Sequence, residues 1–339
     1  MRILAPALLI LIFIACGTPA EAPRKAKGET PLVNQAKSAD LDENLPVFVP
    51  DPSVPETGII TCVGSDSMDP LMKLWAEDFR ASYPQVQFEI ISKGSATAPK
   101  AMLAGSTLLG HMSREMNTEE LTAFQAKFGY SPTRIVVAVD ALAIYVNANN
   151  PITKLGLEQV DAIFSKDRKG GYAKSLDTWG DLGLAQGWTN RVIQPYGRDE
   201  NSGTRAFFRE HAMKKGEYKP TVKAMPDQFA VVEAAAIDAT GIAYGPVQHS
   251  VRMVKAVPIM DFKGTTPLLP TVENILNGKY PLTRFLYLYV NLAPGKPLDP
   301  LIKEFISSIL SRQGQSNVTN FGAIPLPSDL ASVNKRKLK

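Results

Sequence analysis

From Gly58 onward, short runs of β-branched and aromatic residues alternate along the chain with longer stretches of helical periodicity. The short runs predict strands, and apolar residues spaced three or four apart predict helices with one buried face. We predict strands at Ile59–Val63, Val86–Ile91, Ile135–Val139, Leu142–Val146, Val192–Tyr196, Ile242–Tyr244 and Phe285–Asn291. We predict helices at Pro70–Ser82, Ala98–Leu103, Thr118–Phe128, Leu157–Phe164, Thr204–Lys214, Gln228–Ala236 and Asp299–Leu310. This alternation favours an α/β fold.

The length and charge of the chain limit the functions that we expect for such a fold. A chain of 339 residues has room for two lobes with separate cores. Open α/β sheets bind ligands beyond the carboxyl ends of their strands, often in a cleft between two lobes. The formal charge of +4 gives no support for nucleic-acid binding by bulk electrostatics. A small-molecule site at strand ends is therefore expected.

Three polar loops lie between a predicted strand and a predicted helix, at Gly64–Pro70, Lys93–Pro99 and Arg198–Thr204. A helix N-terminus leaves backbone N–H groups unpaired and attracts anions. Arg198 can bind an oxyanion with two nitrogens, and Gly203 lets the backbone approach closely. Each loop alone could be an ordinary capped turn, since Ser, Thr and Asp are preferred N-caps. Three such loops in one chain favour a shared anion site.

A fourth loop, Gly110–Glu115, offers Ser113 and Arg114 in a less regular frame. Arg114 is a second candidate cation, which Glu115 or Glu200 could instead neutralise. The three histidines, His111, His211 and His249, share no ligand spacing, and no metal or cofactor is expected.

The N-terminus has the pattern of an export signal. Arg2 precedes an apolar run to Ala15 that is short for a permanent membrane anchor. The run ends in Phe13-Ile14-Ala15-Cys16-Gly17, which resembles the lipobox of bacterial lipoproteins and implies lipidation of Cys16. Simple secretion is the alternative. We expect a signal peptide over 1–15, a flexible tether over 16–57 and a solvated basic tail over 329–339. Cys62 lies in a β-rich run and is expected to be a buried core residue.

Beyond these loops, several segments of the chain resemble the phosphate-binding proteins of bacterial phosphate ABC transporters. The resemblance runs from about Gly58 to Pro327 and includes Asp140–Asn147, Gly241–Gly245, Tyr280–Arg284 and Gly322–Pro327. It implies a two-lobe periplasmic-binding-protein fold of type II, with a ligand cleft between lobes joined by two crossover segments. Lobe 1 would combine 58–142 with 262–328, and lobe 2 would span 143–261.

The same resemblance implies the contacts to the anion. The residues it assigns to phosphate are Asp66, Ser67, Ser95, Ser113, Arg198, Ser202, Gly203 and Thr204. Ser113 stands where well-known members carry an aspartate that accepts a proton from hydrogen phosphate and so helps to exclude sulfate. Our hypothesis is that Asp66 takes over this acceptor role, since an ionised carboxylate only accepts. The alternative is that Asp66 caps the Pro70 helix without meeting the ligand.

The implied function is extracytoplasmic capture of inorganic phosphate by a monomeric, non-enzymatic, lipid-anchored protein that delivers it to a membrane permease. No cofactor and no nucleic acid would take part. Three alternatives stay open: a receptor for sulfate, molybdate or tungstate, a phosphate-ester hydrolase, and a non-transporting surface or signalling protein. A hydrolase would need a general base or a metal beside Ser67, Ser95 or Ser202.

Overall fold

The protein is seen here as a computed structural model that describes residues 39–264 and 266–338. Within these residues the strands are β1 Thr57–Gly64, β2 Gln85–Ser92, β3 Leu109–Met112, β4 Thr133–Asn147, β5 Leu155–Gly156, β6 Gln194–Arg198, β7 Lys223–Met225, β8 Gly241–Pro246, β9 Val254–Val257, β10 Ile259–Met260 and β11 Thr283–Val290. The helices are α1 Asp69–Ser82, α2 Thr97–Ala104, α3 Thr118–Phe128, α4 Leu157–Phe164, α5 Gly203–His211, α6 Gln228–Ile237, α7 Val272–Leu276, α8 Pro300–Ile309, α9 Arg312–Phe321 and α10 Ser328–Arg336. The predicted α/β fold is confirmed.

One mixed sheet organises the described chain. Its strand order is β2-β1-β3-β11-β4-β8-β6-β7, with β9 also paired to β4. The long strand β4 pairs antiparallel with β11 over Thr133–Ala141 and with β8 over Leu142–Val146. On one side of β4, strands β1, β2 and β3 are parallel to one another. On the other side, β6, β7 and β8 are parallel to one another. The pairs that include β4 or β11 are antiparallel. Because β4 belongs to both halves, it joins them into a single sheet.

The continuous β4 corrects our prediction of two separate strands at Ile135–Val139 and Leu142–Val146. Asp140 lies between the two predicted runs, and its side chain is buried and ion-paired within the sheet. The sequence pattern also missed β3, β7 and β9, whose runs are only three or four residues long. Short buried strands carry too little periodicity to be distinguished from loops.

Two large apolar clusters form the core. The first packs α1, α8 and α9 on β1, β2 and β11 and includes Trp75, Phe79 and Phe305. The second packs α4 and α5 on β4 and β8 and includes Phe208 and Tyr244. Helix α1 buries the stripe that its periodicity predicts, which includes Leu71, Trp75 and Phe79, and burial of such side chains supplies much of the driving force for packing. Cys62 is fully buried, as expected, and burial raises the pKa of its thiol.

The ends of the folded body differ from expectation. Residues 39–57 fall within the expected flexible tether, but Leu45 and Val54 are buried in the first core cluster. The amide of Arg312 donates to the Pro46 carbonyl at 2.8 Å, which fixes this segment along α9. These apolar residues are few and widely spaced, so the composition of the segment hides them.

The expected basic tail is also wrong as a description of 329–338. It forms α10, and its Asn334 Oδ1 accepts from the Val136 amide of β4 at 3.0 Å. Leu338 is buried in the core beside it. The basic residues lie on the outer face of the helix, so their number in the sequence obscures the amphipathic pattern.

The expected signal peptide, Cys16 and the first part of the expected tether lie outside the described residues. No helix among residues 39–264 and 266–338 is long and apolar enough to cross a membrane.

Candidate functional site

Five buried hydroxyl groups meet where the predicted loops converge, and we call them the hydroxyl cluster: Ser65, Ser67, Ser95, Ser113 and Thr204. The Ser65 Oγ lies 2.9 Å from the Ser67 Oγ and donates to the Ser113 Oγ at 3.0 Å. The Ser113 Oγ lies 3.3 Å from the Ser95 Oγ, and the Ser67 Oγ lies 3.4 Å from the Thr204 Oγ1. All four loops therefore contribute to one site. Two of them follow strands β1 and β3, and the other two precede helices α2 and α5.

The order of the strands explains this convergence. Strands β1 and β3 are parallel neighbours, so Ser65 and Ser113 follow their carboxyl ends side by side. Ser95 precedes α2, and its Oγ accepts from the Ser113 amide at 3.1 Å. The Ser65 amide in turn donates to the His111 carbonyl at 2.8 Å. These contacts fix three serine side chains toward one point.

The N-terminus of α5 completes the site from the other half of the sheet. Ser202 is its N-cap, and its Oγ accepts from the Arg205 amide at 3.3 Å. Gly203 follows as the first helical residue. A Cβ at Gly203 would lie 2.1 Å from the Ser95 Oγ and 2.7 Å from the Ser113 Oγ, so only glycine fits. The start of α5, where helix amides lack intrahelical partners, therefore lies against the cluster, which suits an anion.

Arg198 lies at the end of β6 and is only 2 % exposed. Its Nε donates to the Met225 carbonyl at 3.2 Å and its Nη2 to the Pro226 carbonyl at 3.0 Å. Its Nη1 forms an ion pair with the Asp66 carboxylate. The Met225 and Pro226 carbonyls fix the orientation of the guanidinium group. Asp66 of the first loop binds the remaining nitrogen, Nη1.

Asp66 reaches Arg198 instead of capping the first helix. The N-cap position of α1 is Met68, which makes no side-chain capping hydrogen bond. Asp66 Oδ2 contacts Arg198, whereas its buried Oδ1 has no hydrogen-bond partner among the described residues. Burial raises the pKa of Asp66, and the neighbouring Arg198 partly offsets this effect. Capping of the Pro70 helix by Asp66 is therefore wrong, and a contact between Asp66 and the anion stays a prediction.

A second buried ion pair borders the hydroxyl cluster, and sequence reasoning missed it. Arg284 of β11 donates from Nη1 to the Thr204 Oγ1 at 3.0 Å and from Nε to Asp140 Oδ2 at 2.8 Å. Both side chains are almost fully buried. The available signal was a charged residue inside each of two strongly apolar strands, which requires a buried partner. Ser65 was also missed, although it lies in the first predicted loop.

Arg114 does not join the site. It binds Glu120 with two hydrogen bonds of 2.7 Å and also donates to the Glu115 carbonyl. Glu120 is part of the capping box of α3, so this pair fixes the start of that helix. Our expectation of a partner at Glu115 or Glu200 is corrected to Glu120.

A cleft of about 1330 Å³ opens beside the site. Ala96, Arg205 and Arg284 are part of its wall, whereas the five hydroxyl groups of the cluster are buried behind that wall. Arg205 stacks on the Tyr218 ring at 3.8 Å and donates to the Arg198 carbonyl. Arg284 links the cleft to the cluster, because it lines the cleft and donates to the Thr204 Oγ1 at 3.0 Å.

Comparison with known proteins agrees with this geometry. The sequence profile of the PBP superfamily domain matches residues 49–313. The chain is 44 % identical over 288 residues to the phosphate-binding protein PstS of Pseudomonas aeruginosa, and the match covers 83 % of this chain and 89 % of the relative.

Solved structures extend the comparison. A Clostridium perfringens chain assigned as a phosphate ABC transporter substrate-binding protein, with bound phosphate, superimposes with a TM-score of 0.63 at 25 % identity. The match covers 79 % of this chain and all of that one (100 %). An ABC-type phosphate transport receptor of Vibrio cholerae shares the fold with a TM-score of 0.61 at 22 % identity, covering 79 % and 100 % of the two chains. The chain has the type II periplasmic-binding-protein fold and belongs to the family of Pst-type phosphate-binding proteins.

Proposed function

We propose that this protein captures inorganic phosphate outside the cytoplasm and delivers it to the permease of an ABC transporter for import. The observation that carries the proposal is the convergence of five buried hydroxyls and the α5 N-terminus on one point, beside the Arg198–Asp66 ion pair. A tetrahedral oxyanion offers four oxygens, and such a cluster supplies hydrogen-bond donors from every side.

The charge balance of the site supports a reversible receptor. Arg198 is paired with Asp66, and Arg284 is paired with Asp140, so the two cations are internally neutralised. The anion would be held mainly by hydroxyl and amide donors, which depend on geometry more than on net charge. A site with uncompensated cations would retain any anion and discriminate less.

The proposed source of selectivity is Asp66. Its Oδ1 is a buried acceptor without a partner in the described chain. Hydrogen phosphate carries an O–H group that can donate a hydrogen bond to this oxygen, whereas fully ionised sulfate would place a bare oxygen against it. The Ser113 Oγ lies 3.3 Å from the Ser95 Oγ within the hydroxyl cluster and contributes a neutral hydroxyl.

We further propose that the two parts of the chain, lobe 1 (58–142 and 262–328) and lobe 2 (143–261), close on the anion by a hinge motion. Contacts between these parts support this: the Ala96 amide donates to the Asn201 carbonyl at 3.1 Å, and the hydroxyl oxygens of Ser67 and Thr204 lie 3.4 Å apart. A Cβ at Gly94 would lie 2.4 Å from the Asn201 carbonyl oxygen, so a side chain there would oppose closure.

The protein would be held at the membrane by a lipid on Cys16 and act there as a monomer, without catalytic turnover. The family is one of substrate-binding transport proteins.

The hydroxyls of the cluster hydrogen-bond to one another and to backbone amides, while the nearby His111 Nε2 bonds to Ser92 instead. A serine nucleophile would need an activating base at hydrogen-bond distance.

Calorimetric titration of the purified protein with phosphate, sulfate and molybdate tests the proposal. Tight binding of phosphate with much weaker binding of the other two anions is expected. If phosphate fails to displace bound sulfate or molybdate, the protein is a receptor for that anion. Release of the alcohol from an aryl phosphate would instead indicate a hydrolase.

A further inference from the structure

We infer that Arg284, held by Asp140, is a positioning residue that fixes the Thr204 hydroxyl as a donor toward the bound anion. The inference rests on the proposed function. Its basis is the direction of one hydrogen bond at the wall of the hydroxyl cluster. Arg284 is 4 % exposed and Thr204 is fully buried, so water does not compete for either group.

A guanidinium has only donors, so Arg284 Nη1 must donate and the Thr204 Oγ1 must accept across their 3.0 Å contact. A hydroxyl carries one proton. With a lone pair of Thr204 engaged by Arg284, that proton is directed away from the guanidinium. The nearest hydroxyl on the other side is that of Ser67, 3.4 Å away within the cluster. Thr204 is thereby committed to donate where the anion would lie.

Asp140 holds the guanidinium in place for this task. Its Oδ2 accepts from Nε of Arg284 at 2.8 Å and lies 2.6 Å from Nη2, which leaves Nη1 for Thr204. Its Oδ1 accepts from the Ala141 amide at 2.7 Å. The two residues lie directly opposite each other on β4 and β11, so the sheet fixes their distance. The planar guanidinium can satisfy both partners at once.

The pair also acts without adding net charge. Asp140 compensates the buried cation, so the arrangement does not turn the site into a general anion trap. Without Arg284, the Thr204 hydroxyl could rotate and donate to a backbone carbonyl, as threonines in helices do. The anion would then lose one oriented donor while all other contacts remained.

Arg284→Lys combined with Thr204→Val tests this role. A lysine can still pair with Asp140, but its single ammonium group cannot also hold Thr204 in the same plane. Phosphate dissociation constants are measured by calorimetry for the wild type, both single variants and the double variant. Each single variant is expected to bind about tenfold more weakly, the usual effect of one oriented hydrogen bond.

The double variant is expected to bind no more than about twofold more weakly than Thr204→Val alone, because Arg284 acts through the hydroxyl that valine lacks. Losses that multiply to about a hundredfold would overturn the inference, as would unchanged binding by Arg284→Lys. Arg134→Lys is the matched control, since Arg134 makes an exposed ion pair with Glu115. Its affinity should equal that of the wild type.

Thermal melting without phosphate separates positioning from folding. If Arg284→Lys does not fold, the pair is removed as a unit with Asp140→Asn and Arg284→Met, and the cycle with Thr204→Val is repeated in that background. The same lack of additivity is expected, and additive losses again refute the inference. Failure of the wild type to bind phosphate would refute the proposed function itself, independently of any cycle.

Discussion

Among single residues, Asp66 offers the clearest test of anion selectivity. One of its oxygens is committed to Arg198, and the other has no hydrogen-bond partner within the described chain. Asp66→Asn removes the charge that repels a bare sulfate oxygen. We expect the preference for phosphate over sulfate to fall by about tenfold or more. This factor corresponds to the free energy of one buried charge-assisted hydrogen bond. Competition calorimetry with the two anions measures this ratio.

The matched control is Asp69→Asn. Asp69 lies on the same loop, but its carboxylate pairs with Lys73 at 2.6 Å on the first turn of α1. That variant should retain the wild-type preference. Full discrimination by Asp66→Asn would mean that the hydroxyls and amides alone select the anion.

A second prediction for a single residue concerns acid stability. His249 is buried against the Phe229 ring, and neither ring nitrogen has a hydrogen-bond partner among the described residues. Burial, aided by the charges of Arg284 and Arg198, lowers its pKa to about 4. The folded protein therefore binds fewer protons than the unfolded chain between about pH 4 and 6.5, and acid in this window favours unfolding.

His249→Phe should remove this contribution, which is about 3 kcal/mol at full extent. Urea unfolding at pH 7 and pH 4.5 gives the loss of stability for each protein. We expect a smaller loss for the variant. Some loss remains in the variant, because burial lowers the pKa of His111 to about 4 as well and His111 is present in both proteins. An equal loss in both proteins would contradict a neutral, buried His249.

Among the secondary-structure elements, α10 is a packed part of the fold. Asn334 accepts from the Val136 amide and donates to the Leu330 carbonyl at 2.8 Å. Asn334→Ala would leave a partly buried amide of β4 without its protein partner, which costs about 1 kcal/mol. Urea unfolding should show this loss, with phosphate affinity unchanged. Val333→Ala, on the exposed side of the same helix, should lose far less. Equal stability of the two variants would mean that α10 is not anchored through Asn334.

Strand β4 shows how much of one element can be predicted from local sequence patterns. Its two apolar runs each predict a strand, and each lies within β4. Asp140 lies between them, and an unpaired carboxylate is unfavourable in a buried strand. Arg284 removes that penalty from the neighbouring strand. A partner 144 residues away cannot be found from periodicity.

For the molecule as a whole, phosphate should shift the protein toward a closed form. The proposed lobes meet through Asp66 and Arg198, Ser67 and Thr204, and Ala96 and Asn201. An anion that contacts both sides has a higher affinity for the closed arrangement and therefore populates it. Small-angle X-ray scattering should show a smaller radius of gyration with phosphate than without it. An unchanged radius at saturating phosphate would contradict a hinge.

Local sequence patterns specify the α/β class, the positions of most longer elements and the loops that build the site. Periodicity defines the elements, and serine, threonine and glycine at strand ends define turns that suit an anion. Arg198, Gly203 and the serines other than Ser65 can therefore be selected from the sequence alone. The resemblance of these loops to a known family supplies the expected ligand.

Long-range packing, in contrast, specifies how these loops combine and which charges face them. Asp66 meets Arg198 across 132 residues of chain, and Arg284 meets Thr204 across 80. Such contacts depend on strand order and register, which follow from packing of the whole sheet and not from any local pattern. The pairing of both arginines with carboxylates is visible only in the tertiary structure for the same reason. So is the packing of Leu45, Val54 and Leu338 against the first core cluster.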